Sequence, residues 1–235
     1  MANNITKHIP NTITCLNLFS GCIAAMAGFG GNYQLALAFI ILGAVFDFFD
    51  GMAARALDAH SVIGKDIDSL ADDITFGLAP ASMAFSLLNE MFAGMDAPYS
   101  FLPFAAFLIA VFSGLRLAKF NNDSRQTTSF IGLPVPANAL FWGSLIVGHH
   151  QELLSCSFAP AAVLVLVLFT SWLLVSEIPM FSLKFKSLAW KDNKVRYLFL
   201  IGCLPLLFFF RLSGIACIIV WFVILSIVTQ HRQQS

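Results

Sequence analysis

Apolar runs about as long as a bilayer is thick dominate this sequence, and they leave it few ways to fold. Eight can be traced, at about 12–29, 34–57, 66–90, 101–120, 134–149, 159–177, 195–211 and 213–230, with short polar breaks between them. A helix crossing the hydrocarbon core needs about 20 residues. In hydrocarbon every backbone polar group must find a partner within its own segment, which a helix achieves alone. The expected fold is therefore all-α: a polytopic membrane protein of about eight transmembrane helices, with residues 1–235 forming one membrane-embedded domain. Charge supports this, because only 11% of residues are charged, against about 25% in a soluble domain. The 13 basic and 13 acidic residues balance, which argues against a nucleic-acid surface.

An orientation follows from the basic residues. With the N-terminus in the cytoplasm and eight spans, the cytoplasmic side receives Lys7, Arg55, Lys65, Arg116, Lys119, Arg125, Lys184, Lys186, Lys191, Lys194, Arg196 and Arg232. The other side receives only Arg211. That asymmetry is what the positive-inside rule describes. Both termini are then cytoplasmic. The last two runs read as a helical hairpin turning at Arg211-Leu212-Ser213-Gly214, with Pro205 a candidate kink. Ala25-Met26-Ala27 has the small-x-small look of a signal cleavage site. A single lysine before it, and Asn11, Thr14 and Asn17 within the segment, favour a retained first helix. The five cysteines form no CxxC pair and are expected to act as small buried hydrophobes.

Seven of the ten aspartates fall between positions 47 and 73. Carboxylates in or beside spanning segments are costly, and function is the first explanation to consider. Asp47 and Asp50 are three apart, and Asp68 and Asp72 four apart, so each pair shares a helical face. A short turn around His60 to Gly64 makes the two helices antiparallel neighbours, with both pairs near the cytoplasmic surface. Four such charges repel unless cations neutralise them. Oxygen ligands without His or Cys select Mg²⁺, Mn²⁺ or Ca²⁺. Two metals about 3.5–4 Å apart commonly clamp a transferring phosphoryl group. Gly51 and Ala54 leave room for a ligand, Arg55 offers a planar fork for phosphate, and Gly64 permits an unusual turn. Asp58, Asp66 and Asp73 stay open between support for the site and a plain polar helix end.

The gap-free series Asp47-x-x-Asp50-Gly51-x-x-Ala54-Arg55, eight residues, then Gly64-x-x-x-Asp68-x-x-x-Asp72 resembles the signature of the CDP-alcohol phosphatidyltransferase family. Pro10 to Asn17 is similar to the family's N-terminal segment. Asp68-Ser69-Leu70-Ala71-Asp72 running into Phe76-Gly77-Leu78-Ala79-Pro80-Ala81 resembles its phosphatidylserine-forming branch. So do Arg116-Leu117-Ala118-Lys119-Phe120-Asn121 and Phe130-Ile131-Gly132-Leu133-Pro134-Val135-Pro136. The resemblance implies a six-helix core, here about 10–178, usually as a homodimer, with the hairpin at about 195–230 additional. It implies transfer of the phosphatidyl group from CDP-diacylglycerol to L-serine with release of CMP, in a bacterial cytoplasmic membrane. It makes Asp47, Asp50, Asp68 and Asp72 ligands of two Mg²⁺ or Mn²⁺ ions, and Asp72 also the general base. Gly51, Arg55 and Ser61, with Asn11 to Thr14, would hold CDP-diacylglycerol.

The acceptor pocket needs a cation for the serine carboxylate, and Arg116 or Lys119, assisted by Asn121, are the candidates. Positive-inside anchoring is the competing account of both. Glycerol 3-phosphate or inositol as acceptor is the rival on the same scaffold, although a phosphorylated acceptor asks for more cationic residues. A divalent-cation transporter is the rival of another class. Transport sites tend to lie near the bilayer midplane in repeated halves, whereas these aspartates cluster at one face. His149 and His150 are expected on the opposite face, as a wet helix end.

Overall fold

The computed structural model describes residues 8–59, 62–123, 130–181 and 189–231. The chain runs as α1 (His8–Phe29), α2 (Tyr33–Ala56), α3 (Val62–Asp72), a π-helical turn (Asp73–Leu78), α4 (Ala79–Met91), a 3₁₀ segment (Tyr99–Phe107), α5 (Leu108–Asn122), α6 (Val135–Ser155), α7 (Ala159–Val175), α8 (Trp190–Phe210), a 3₁₀ turn (Arg211–Ser213) and α9 (Gly214–His231). Extended structure among the described residues is one short ladder, in which β1 (Phe130–Ile131) pairs antiparallel with β2 (Pro179–Met180).

The protein is a polytopic helical membrane protein. His8–Phe29, Tyr33–Ala56 and Tyr99–Asn122 are each long and apolar enough to cross a bilayer, as is the 37-residue stretch Asn193–Thr229. That last stretch contains most of the antiparallel pair α8 and α9. Many large apolar side chains face outward, among them Phe158, Leu204, Phe208 and Phe209, each at least 70% exposed. Such a surface suits lipid. Cys15, Cys22 and Cys156 also face outward, which corrects the expectation of buried thiols.

The third expected span is one helical rod, Val62 to Met91, interrupted by the π-turn directly after Asp72. At the end of this turn the Ala79 amide donates to the Ile74 carbonyl, five residues back. Pro80 has no amide to donate, and a helix adapts to such a residue by local rewinding. Beyond the turn, α4 forms the centre of the bundle: Ala79, Ala81, Met83, Ala84, Leu87 and Leu88 are all fully buried.

Small residues bring the neighbouring helices close to this rod. A β-carbon at Gly43 of α2 would lie 2.5 Å from Thr75 Cγ2 and 2.8 Å from Asn17 Oδ1. Glycine at the contact is what lets α1, α2 and the π-turn meet. In α8 the non-helical backbone falls at Asn193 rather than at Pro205.

The two ends of the bundle differ. Arg55, Lys65 and Lys119 gather at the end where α2 and α5 finish and α3 begins. The opposite end joins α2, α4 and α6 through Glu90, whose carboxylate accepts from Tyr33 Oη at 2.5 Å and lies 2.9 Å from His150 Nε2. His150 therefore lies away from the aspartates, and Arg211 shares its end of the bundle, in the turn beside Gly148.

Candidate active site

Asp47 and Asp50 lie on the last turns of α2, and Asp68 and Asp72 on α3. The helices do not simply face each other. Helix α1 packs against both, and its polar side chains reach the carboxylates. The Thr14 hydroxyl donates to Asp50 Oδ2 at 2.7 Å, and both residues are buried. Asn17, fully buried, donates from Nδ2 to Asp72 Oδ1 at 3.3 Å. Its own backbone carbonyl accepts from the Thr75 hydroxyl at 3.1 Å, which ties α1 to the π-turn.

Carboxylate oxygens of Asp47, Asp50 and Asp68 all lie within 4.8 Å of one another. Asp72 stands beside this triad, within electrostatic reach of Asp47 and Asp68. Such crowding of like charge in a partly buried place is unfavourable without a counter-charge. Asp68 Oδ1 is buried and has no hydrogen-bond partner among the described residues. A cluster of hard oxygen donors holding an unsatisfied buried carboxylate oxygen fits a divalent cation.

A cleft of about 360 Å³ opens beside the triad. Pro10, Asn11, Thr14, Asp50, Gly51, Ala54, Arg55, Ala59, Gly64, Lys65 and Asp68 line it. Asn11, Thr14, Gly51 and Arg55 thus share one wall system with two of the four aspartates. Gly51 leaves the wall bare next to the Arg55 guanidinium, whose Nη1 would stand 3.6 Å from a β-carbon there. Gly64 lies within α3 rather than in a turn, and the left-handed residue of the α2–α3 connection is Asp58 (φ 48°). Gly64 lines the cleft. Ser61 lies outside the described residues.

The remaining residues singled out from sequence separate. Arg116 is buried, 6% exposed, within electrostatic reach of Asp72, and its Cζ lies 5.3 Å from the centroid of the Phe120 ring. Lys119 points elsewhere: its ammonium donates to Glu177 Oε1 at 3.0 Å and to the Val175 carbonyl at 3.2 Å, joining α5 to the end of α7. The Asn121 side chain donates to Ser69 Oγ at 2.7 Å, and its carbonyl accepts from Lys65 Nζ at 3.0 Å, so it clamps α5 to α3. None of Arg116, Lys119 and Asn121 lines the cleft. Sequence reasoning gave Asn17 no role of its own. The available signal was a polar residue three positions after Thr14, on the same face of an apolar helix.

The site is a carboxylate cluster beside an arginine-flanked cleft in a helical membrane bundle, the arrangement of an acid-rich, metal-binding site. The chain belongs to the CDP-alcohol phosphatidyltransferase family, whose profile spans residues 7–230. It is 37% identical over 176 residues to the CDP-diacylglycerol–serine O-phosphatidyltransferase of Bacillus subtilis, covering 73% of this chain and 89% of that protein. It is 34% identical over 164 residues to the archaetidylserine synthase of Methanothermobacter thermautotrophicus, covering 68% of this chain and 66% of the relative. The CDP-diacylglycerol–serine O-phosphatidyltransferase of Saccharomyces cerevisiae is 34% identical over 145 residues, 55% of this chain and 50% of the yeast protein.

Proposed function

We propose that this protein transfers the phosphatidyl group of CDP-diacylglycerol to the hydroxyl of L-serine, giving phosphatidylserine and CMP. The observation that carries the reading is the triad Asp47, Asp50 and Asp68, its oxygens within 4.8 Å, beside the cleft that Arg55 lines. Family membership and the names of the serine-using relatives support the same reaction.

In this reading Asp47, Asp50, Asp68 and Asp72 hold two divalent cations, Mg²⁺ or Mn²⁺. Bound there, the cations polarise the pyrophosphate and offset the carboxylate charge. The chain's own residues do the rest. Arg55 pairs with phosphate oxygens at the mouth of the cleft, and bare Gly51 lets the nucleotide approach α2. Asn11 and Thr14 line the wall next to it, and Ser61 is assigned to the same donor site. The serine hydroxyl attacks the phosphorus that bears diacylglycerol, and its proton passes to Asp72. The bond from that phosphorus to the CMP oxygen breaks, and CMP leaves. Asn17 holds Asp72 in place for the transfer, and Arg116 pairs with the serine carboxylate.

The core at about 10–178 carries this chemistry, and the hairpin α8–α9 is an addition to it. The protein acts as a homodimer in a bacterial cytoplasmic membrane. Its site opens to the cytoplasm, because Arg55, Lys65 and Lys119 lie at the aspartate end.

Detergent-purified protein with CDP-diacylglycerol and Mn²⁺ tests the proposal. L-serine, glycerol 3-phosphate and inositol are supplied separately, with Asp72→Asn run alongside. CMP release with serine alone, lost in the variant, is the expected result. Release with another acceptor overturns the serine assignment, and no release with any overturns the enzyme.

A further inference from the structure

Between the π-turn and α5 lies a second group of polar side chains, which the reaction above leaves largely without a task. Asp73 directly follows Asp72, and one residue of helical advance turns it from the triad toward α5. Its carboxylate rests against two glycines. A β-carbon at Gly77 would stand 2.8 Å from Asp73 Oδ1, and one at Gly114 would stand 3.4 Å from Oδ2. The same point at Gly77 is 3.0 Å from the β-carbon of Ser113, so Asp73 and Ser113 border one spot. Ser113 is fully buried. Neither its hydroxyl nor Asp73 Oδ1 has a hydrogen-bond partner among the described residues. Buried polar groups are almost always satisfied in native proteins, and those that are not call for a ligand or a functional reason. Three residues beyond Ser113, on the same face of α5, comes buried Arg116, within electrostatic reach of Asp72.

The order of groups is therefore a carboxylate with a hydroxyl, then a guanidinium, with Asp72 alongside. This is the complement of a zwitterion that carries a hydroxyl. We infer that Asp73, assisted by Ser113, receives the ammonium group of the amino-acid acceptor while Arg116 takes its carboxylate. The inference rests on the serine reading and deepens it. It explains how the site chooses its acceptor: a phosphorylated alcohol would bring anionic charge against Asp73, and an uncharged polyol would offer Asp73 no cationic group. Asp73 is thus a specificity-determining residue, distinct from the four metal-binding aspartates.

The test uses the full chain in detergent with CDP-diacylglycerol and Mn²⁺, comparing L-serine with 3-hydroxypropanoate, which keeps the hydroxyl and carboxylate but lacks the ammonium. The wild-type arm comes first. CMP release that serine does not stimulate removes the serine reading itself, and this inference with it. Given wild-type turnover of serine, Asp73→Asn raises the KM for serine roughly ten- to hundredfold, as expected for losing a hydrogen bond to a charged group. The preference for serine over 3-hydroxypropanoate shrinks by the same factor. Mn²⁺-dependent binding of CDP, read by calorimetry, stays as in the wild type and reports an intact donor site. A KM for serine within twofold of wild type overturns the inference, as does a parallel loss with both acceptors. If Asp73→Asn fails to bind CDP, Ser113→Ala carries the test: a several-fold rise in the KM for serine alone supports the subsite, and an unchanged KM overturns it.

Discussion

Replacing Thr14 by valine removes one hydroxyl and almost no volume, so it tests the hydrogen bond to Asp50, for which the Pro10 carbonyl at 3.0 Å is the competing acceptor. That hydroxyl donates at 2.7 Å to Asp50 Oδ2, and the two residues are 4% and 6% exposed. A hydrogen bond to a charged group contributes about 1.5–3 kcal/mol, and about 1.4 kcal/mol is tenfold in affinity. The bond also orients a carboxylate that belongs to the triad, and loss of such supporting contacts typically costs about 10–100-fold in metal affinity. Thr14→Val is therefore expected to raise the half-saturating Mn²⁺ concentration about 10–100-fold. Two readouts check it: Mn²⁺ titration of CMP release, and free Mn²⁺ measured by electron paramagnetic resonance without substrate. Thr14→Ser keeps the donor and stays close to wild type. A wild-type Mn²⁺ midpoint in Thr14→Val refutes the reasoning. Equal shifts in Thr14→Val and Thr14→Ser also refute it, because the effect would then follow shape rather than the hydrogen bond.

Other perturbations separate packing from chemistry. Gly43→Ala places a β-carbon 2.5 Å from Thr75 Cγ2, an overpacking expected to cost about 1–3 kcal/mol; an unchanged thermal unfolding midpoint in detergent would contradict the close approach of α2 to the π-turn. Lys119→Ala breaks the contact with Glu177 and is expected to leave the KM for serine within about twofold, as surface ion pairs contribute only about 0–1 kcal/mol; a tenfold rise would place Lys119 in the acceptor pocket. Tyr33→Phe removes the donor to Glu90 at the far end of the bundle. It should lower the unfolding midpoint while leaving the Mn²⁺ dependence as it is, and a shifted Mn²⁺ midpoint would show that the two ends are coupled.

The bundle was legible in the sequence because its determinants are local. Apolar runs of bilayer length leave helices as the economical way to satisfy the backbone, and the eight runs correspond to the helical segments that the chain forms. The spacings 47/50 and 68/72 need only the helical repeat to place each pair on one face. The gap-free signature from Asp47 to Asp72 pointed to the family that the profile match over 7–230 identifies.

What the sequence could not display are the relations between distant positions. Thr14 meets Asp50 across 36 residues, and Asn17 meets Asp72 across 55. Lys119 turns to Glu177, 58 residues on, although its neighbour Arg116 stays buried near Asp72. Asp73 was open between support for the site and a polar helix end, and only its contacts with Gly77 and Gly114 show which way its carboxylate faces. The sequence by itself determined the apolar helical segments and the carboxylate pairs, since periodicity and composition act within one segment. The tertiary structure alone decided which faces meet, because the rotation and approach of each helix depend on glycines and side chains that the other helices bring to the contact.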